Sequence, residues 1–205
     1  METNDGVDEE KRATLRRFAA LGAVAPLVGF SESATAETGD SDARDAIVGY
    51  LSTTPGAHFS KVRDDLQLGT GETQHHIRQL EERGAVERYS DGDYKRFVPA
   101  GRFDDFEKTA LGYLRRETPR GMLVELLRDP DATAGELADA LEVSAPTVSK
   151  YAGELEEAGL LSREDGYAVE RPETVLVLLV RYADSFGEGA TELATEADSL
   201  VTYSG

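Results

Sequence analysis

One sequence pattern occurs twice in this chain, and the second copy follows the first at a fixed offset of 75 residues. Leu66 in the first copy corresponds to Leu141 in the second. In the same register, the segment LEERG at 80–84 corresponds to LEEAG at 155–159, and no gap is needed between these points. A period of 75 residues is too long for a solenoid repeat, so the offset predicts two copies of one small domain.

Both copies show the same order of predicted elements. A first helix, at about 43–52 or 119–128, has apolar residues at helical spacing. A proline-containing turn, a short helix and a second turn lead to a third, longer helix, which ends at Gly84 or Gly159. Predicted β-hairpins follow at 86–98 and 161–169. This order is the winged helix-turn-helix arrangement. The expected fold is therefore mainly α with small β-hairpins (α+β), as two winged helix-turn-helix domains in tandem.

The segments that carry this pattern resemble a known class of regulator. The run HHIRQLEERGAVE at 75–87 looks like the recognition-helix-to-wing segment of ArsR-type and MarR-type regulators, and residues 144–161 look like it again. With its acidic composition, the chain resembles the tandem winged-helix regulators of halophilic archaea over residues 42–171. This resemblance implies a DNA-binding protein that regulates transcription and is not an enzyme.

The charge distribution bears directly on DNA binding. The chain has 40 Asp and Glu against 22 Lys and Arg, and only 5 of those 22 cations are Lys. Such a composition is typical of proteins adapted to molar salt, where a like-charged surface is screened. The acid is unevenly placed, because residues 42–128 carry 15 acidic and 14 basic residues and residues 129–205 carry 17 and 4. The net charge of −18 therefore does not exclude nucleic acid from the first copy.

The candidate DNA contacts lie on the third helix and the hairpin, or wing, of each copy. A recognition helix reads bases from the major groove, while neighbouring groups hold phosphate. In copy one the candidates are Thr70, Thr73, Gln74, His75 and Arg78 on the helix and Arg88, Lys95 and Arg96 on the wing. In copy two they are Ser144, Thr147, Ser149 and Lys150.

Copy one is the expected main reader of double-stranded DNA. At the 75-residue offset Arg78 becomes Gly153. The second hairpin is shorter, so beyond its turn the offset falls to 73, and the wing segment 94–96 (YKR) becomes YAV at 167–169. Copy two would then serve mainly for docking to another protein surface or for dimerisation. The opposite assignment stays open, because copy two has the more typical opening of a recognition helix. A third alternative is a winged-helix protein-interaction module that does not bind DNA.

Other classes of site find little support in the residues. The chain has no Cys, and the adjacent pair His75-His76 points in directions about 100° apart on a helix, so the two rings do not chelate one metal. No cluster has catalytic spacing, and no cofactor, metal or small-molecule ligand is indicated. A homodimer through the connector helix or the C-terminal helices is a further expectation.

The N-terminal pattern indicates a different location from the one expected for a DNA-binding protein. Arg16-Arg17 precedes an apolar stretch at 18–30 and an Ala-x-Ala site at 34–36, a pattern typical of a twin-arginine export signal. We expect a cytoplasmic protein, with membrane association or export as the alternative. The predicted organisation is a signal-like or disordered segment 1–41, winged-helix domain 42–99, connector helix 100–118, winged-helix domain 119–187 with its C-terminal helix, and amphipathic tail 188–205.

Overall fold

The computed structural model describes residues 5–22 and 38–200. The chain divides into two compact units, residues 1–102 and residues 103–205. This division differs from the predicted organisation, because the region predicted as a separate connector (100–118) belongs, from Phe103 onward, to the second unit.

The first unit contains a complete winged helix and one additional helix at its N-terminus. Its elements are α1 (Asp5–Gly22), α2 (Thr38–Thr53), β1 (Ala57–His58), α3 (Phe59–Asp65), α4 (Thr70–Glu82), β2 (Val86–Asp91) and β3 (Tyr94–Pro99). The strands form one antiparallel sheet in the order β1-β3-β2. Val86 pairs with Pro99 at one end of the hairpin, and Asp91 pairs with Tyr94 at the turn. The short strand β1 adds to the predicted elements.

The second unit repeats the winged helix with a smaller wing and adds helices at both ends. Its elements are α5 (Asp105–Leu114), α6 (Glu117–Arg128), α7 (Ala134–Ala140), α8 (Ala145–Glu157), β4 (Leu161–Ser162), β5 (Ala168–Val169), α9 (Pro172–Arg181), α10 (Ala183–Phe186) and α11 (Glu188–Leu200). Two winged helix-turn-helix domains in tandem are therefore present, and the predicted fold class is confirmed.

The 75-residue repeat is preserved in the backbone as well as in the sequence. Gln67 and Glu142, the residues that end the turn after the short helix, both have left-handed backbone conformations, with φ of 53° and 52°. Gly84 and Gly159, which follow the third helices, have φ of 67° and 70°. Non-glycine residues rarely adopt positive φ, so its recurrence at equivalent positions indicates the same turn geometry in both domains.

The core of the first unit extends into the N-terminal segment. Leu15 of α1 is 8% exposed, and the ring of Phe18 packs edge-on against Tyr50 of α2 with 5.3 Å between centroids. The pattern at 1–41 predicts a signal-like or disordered segment. Over Asp5–Gly22 the structure instead contains a helix that packs on α2. The rest of the signal-like pattern, including 34–36, lies outside the described residues.

The helices that flank the second winged helix form much of the core of that unit. Ala110, Leu111 and Leu114 of α5 are fully buried, and α5 packs on α6 and α9. The predicted helix around Val175–Val180 is present, but it is buried on one side only: Val177 is 58% exposed and Val180 37%. The predicted amphipathic tail forms α11, whose Ala190 and Leu193 are buried.

Candidate nucleic-acid interface

Gly69 is the N-cap residue of α4, the recognition helix of the first domain. The backbone N–H of Gly69 donates to the Glu72 carboxylate at 3.0 Å, which satisfies one of the free groups at the helix start. Thr73 is fully buried, and its hydroxyl donates to the Gly69 carbonyl at 2.9 Å. The prediction that Thr73 contacts DNA is therefore wrong, because the side chain faces the core and secures the first turn of the helix.

The other predicted residues of α4 lie together on its solvent-facing side. Thr70, Gln74, His75 and Arg78 are all exposed. The ring of His75 forms a 3.0 Å hydrogen bond with Gln79, whose side-chain oxygen accepts from Arg44 of α2 at 2.9 Å. Within the described part of the chain no carboxylate pairs with Arg78, so its guanidinium is available to a ligand.

The wing presents two of its three predicted cations to solvent. Lys95 is exposed and donates to Ser90 across the hairpin at 2.9 Å. Arg88 is exposed and lies 3.3 Å from Glu81 at the end of α4. Tyr94, beside the turn, is 53% exposed.

The third predicted wing cation, Arg96, is a structural residue. It is 3% exposed, forms a buried ion pair with Asp91, and donates to the Gly56 carbonyl at 2.9 Å. Its guanidinium lies 5.4 Å from the centre of the Tyr94 ring. The prediction that Arg96 contacts phosphate is therefore wrong. Side chains alternate across a strand, so Lys95 and Arg96 face opposite sides of β3. The alternation does not by itself identify the buried cation, because Phe97, on the same side as Lys95, is buried as well.

The equivalent surface of the second domain has fewer available cations. Ser144 starts α8, where its hydroxyl accepts from the Thr147 N–H at 3.3 Å and shares a 2.8 Å hydrogen bond with the Thr147 hydroxyl. Ser149 and Lys150 are exposed, but Lys150 lies 3.6 Å from Glu154. On the wing, Arg163 donates to Glu156 at 2.7 Å.

Two residues outside the predicted set contact the recognition helix or the wing. The first is Lys11 of α1, which donates to Glu72 at 3.0 Å, on the first turn of the recognition helix. Burial alone would raise the pKa of Glu72, but the hydrogen bonds from Gly69 and Lys11 outweigh it and lower the pKa. No local pattern indicates this pair, because it joins residues 61 positions apart.

His58 is the second such residue. It starts α3, and its ring nitrogen Nδ1 accepts from the Lys61 N–H at 3.3 Å, while the ring lies 5.6 Å from that of Tyr94 on the wing. Burial, followed by the charges of Arg96 and Lys61, lowers the pKa of His58. Histidine is not among the residues that commonly cap a helix, so propensity does not suggest this role.

The described residues contain neither a metal site nor a membrane span. Among them no three His, Asp or Glu side chains come together in a way that would hold a metal ion. None of the described helices combines the length and the apolar character needed to cross a membrane.

The fold and the arrangement of its third helices and wings define a tandem helix-turn-helix protein. Comparison with known families agrees, since a family described as an N-terminal HTH domain matches residues 41–111 and the MarR family matches residues 116–171. These are families of helix-turn-helix regulators, which are not enzymes, in agreement with the predicted class. The predicted resemblance to tandem winged-helix regulators is thus confirmed.

One curated relative adds to these matches. The chain is 28% identical over 126 residues to an uncharacterized HTH-type transcriptional regulator of Methanocaldococcus jannaschii. The matched region covers 61% of this chain and 32% of the relative, so the chain spans about a third of the length of that protein.

Proposed function

We propose that the protein is a sequence-specific DNA-binding transcriptional regulator whose first domain is the main reader of double-stranded DNA. The observation that carries the proposal is the contrast between the two domains. The first presents Arg78, Lys95 and Gln74 on its recognition helix and wing, whereas the second has Lys150 and Arg163 beside carboxylates. The helix-turn-helix families that match both domains support the general function.

The exposed residues of α4 and the wing suit different parts of the duplex. In the major groove, Arg78 matches the acceptors of guanine and Gln74 matches adenine. Thr70 and His75 suit either a base edge or a phosphate. Lys95 on the wing suits phosphate, which positions the domain but carries no sequence information. Arg88 also suits phosphate, but like Lys150 it already lies beside a carboxylate, Glu81.

In the second domain, Ser144, Thr147, Ser149 and Lys150 are left with a smaller role. The hydroxyls of Ser144 and Thr147 already bond to each other at the start of α8. Lys150 pairs with Glu154, one turn further along the same helix. We infer that this domain adds at most a few phosphate contacts.

The proposal is tested by selecting genomic DNA fragments with the intact protein in molar KCl and then comparing three variants on the enriched site. Arg78→Gln is expected to relax the preference at one base position, by about 1–3 kcal/mol. Lys95→Gln is expected to weaken all sequences alike. Lys150→Gln, the matched control in the second domain, is expected to bind almost as the wild type does.

Failure of the intact protein to enrich any sequence would refute DNA reading and would favour a protein-interaction module. A larger loss of affinity for Lys150→Gln than for Lys95→Gln would reverse the assignment of the two domains.

Cell fractionation, with sequencing of the mature N-terminus, distinguishes the expected cytoplasmic location from membrane association or export. An intact N-terminus in the cytoplasmic fraction argues against export.

We also propose a homodimer through α9. The apolar residues of α5 are buried inside the second unit, but Val177 and Val180 lie on the exposed side of α9. In an antiparallel pair of α9 helices centred on Val177, Glu173 of each copy faces Arg181 of the other, which gives two complementary ion pairs. Val177→Lys should convert the dimer to a monomer in sedimentation equilibrium, whereas Glu170→Lys, a control before the helix, should not. A monomeric wild type at all concentrations would exclude this dimer.

A further inference from the structure

The outer face of α1 carries two arginines that neither the fold nor the proposed interface uses. Arg12 and Arg16 lie one turn apart, in the i and i+4 positions that share one edge of a helix. We propose that this edge, the α1 arginine edge (Arg12 and Arg16), binds the phosphate backbone of the DNA duplex read by the first domain. The inference rests on the proposed function, and it assigns α1 a role that the winged helix alone does not supply.

Helix α1 is held against both α2 and the recognition helix. Its inner face is fixed on α2 through Leu15 and Phe18. Lys11, immediately before Arg12, reaches Glu72 on the first turn of the recognition helix. The arginine edge is therefore carried by a helix tied to α4 at the end where a recognition helix meets the bases.

Arg12 and Arg16 are open to solvent. Both side chains are exposed, and among the described side chains no carboxylate forms an ion pair with either one. Glu9 lies only three residues before Arg12, yet the two are not paired. Neither arginine lies in the last helical turn, so the helix dipole does not account for them. The chain as a whole has a net charge of −18, yet these two cations lie together on one helix edge. Such an edge suits an anionic ligand.

Duplex phosphate fits this edge better than an anionic membrane surface does. Residues four apart on a helix are separated by about 6 Å along its axis, and one DNA strand carries a phosphate about every 3.4 Å of duplex axis. Two neighbouring arginines can therefore contact nearby phosphates of one strand. A helix that lies on a membrane needs an exposed apolar face. Leu15 and Phe18 of α1 are instead turned toward α2, and among the described side chains of this helix Leu21 is the only large apolar one exposed to solvent.

The adjacent residue Arg17 provides a matched control. It has the same charge on the same helix, but it points about 100° away from Arg16, near the Phe18 ring. The experiment measures the affinity of the intact protein for its enriched DNA site across about 0.5 to 2 M KCl for Arg12→Gln, Arg16→Gln and Arg17→Gln. Circular dichroism checks that each variant is folded, which is expected because all three side chains are exposed.

The expected result concerns the salt dependence of binding. Removing one arginine–phosphate interaction should reduce the slope of log K against log salt by roughly 0.9. Arg12→Gln and Arg16→Gln should each show this reduction without a change in sequence preference, and Arg17→Gln should retain the wild-type slope. Wild-type slopes for Arg12→Gln and Arg16→Gln would overturn the proposal, as would equal reductions in all three variants.

Two further outcomes separate this proposal from the others. If the wild type binds no DNA, the proposed function fails first, and the slopes are never obtained. A parallel flotation assay uses vesicles of phosphatidylglycerol. If Arg12→Gln and Arg16→Gln reduce vesicle binding while DNA binding is unchanged, the edge serves a membrane surface and the DNA proposal is refuted.

Discussion

Replacing Arg96 by Met should damage the fold of the first domain rather than its affinity for DNA. The side chains of Arg96 and Asp91 are 4% and 10% exposed, so this ion pair is almost completely removed from water. Met keeps much of the length and apolar volume of the arginine stem and removes the charge. The substitution leaves the Asp91 carboxylate without its cation and takes a hydrogen bond from the Gly56 carbonyl.

The size of the effect follows from the burial of the pair. Removing one partner of a buried ion pair usually costs about 3–5 kcal/mol, because the remaining charge stays buried. With a urea m-value of about 2 kcal/mol/M, the unfolding midpoint of the first unit should fall by roughly 2 M. Urea is the suitable denaturant because guanidinium is itself a salt.

The assay is urea unfolding at constant KCl, followed by circular dichroism, together with hydrogen exchange of peptides from the wing. Lys95→Met is the matched control on the same strand, and it should change the free energy of unfolding by less than about 0.5 kcal/mol. The double variant Asp91→Leu/Arg96→Met should be more stable than Arg96→Met, because it removes both buried charges. The reasoning is falsified if Arg96→Met and Lys95→Met unfold at the same midpoint.

Three further predictions concern α1, α8 and His58. Leu15→Ala should lower the free energy of unfolding by about 2–5 kcal/mol in the same urea assay, since Leu15 fills the α1–α2 contact. Ser144→Ala should cost about 1 kcal/mol through loss of the α8 cap, measured by thermal unfolding. The pKa of His58 is lowered in the folded state, so the unfolded chain binds the proton first as pH falls. Its contribution to stability is complete above the unfolded value of 6.5 and is lost as pH falls through the lower, folded value. A melting series over this range should therefore show a loss that is absent in His58→Asn, which keeps a capping side chain.

The repeated pattern is enough to predict the two winged helices because local signals and the apolar spacing agree. The glycines at 84 and 159, the proline turns and the third helices occupy the expected positions. The winged helix is built mostly from contacts between elements close in sequence, and such contacts leave clear periodic signals.

The predictions fail where a side chain has a partner that its residue type does not indicate. Thr73 and Arg96 have polar side chains of a kind that normally lies at the surface, but Thr73 donates to the Gly69 carbonyl four residues before it, and Arg96 donates to the Gly56 carbonyl forty residues before it. The apolar stretch of the N-terminus resembles an export signal. The side chains of Leu15 and Phe18 show that part of this region has a partner surface on α2, which no local pattern can indicate.

The buried pair of Arg96 and Asp91 has a consequence for how the protein responds to its medium. Salt screens exposed charges strongly and buried charges weakly. The wing is thus held in place by an electrostatic contact that changes in ionic strength scarcely affect, while Lys95, one residue away, is fully subject to them. Along a single strand, one cation keeps the shape of the wing constant as the salt concentration varies. In the proposed interface, its neighbour Lys95 would make the strength of DNA binding follow that concentration.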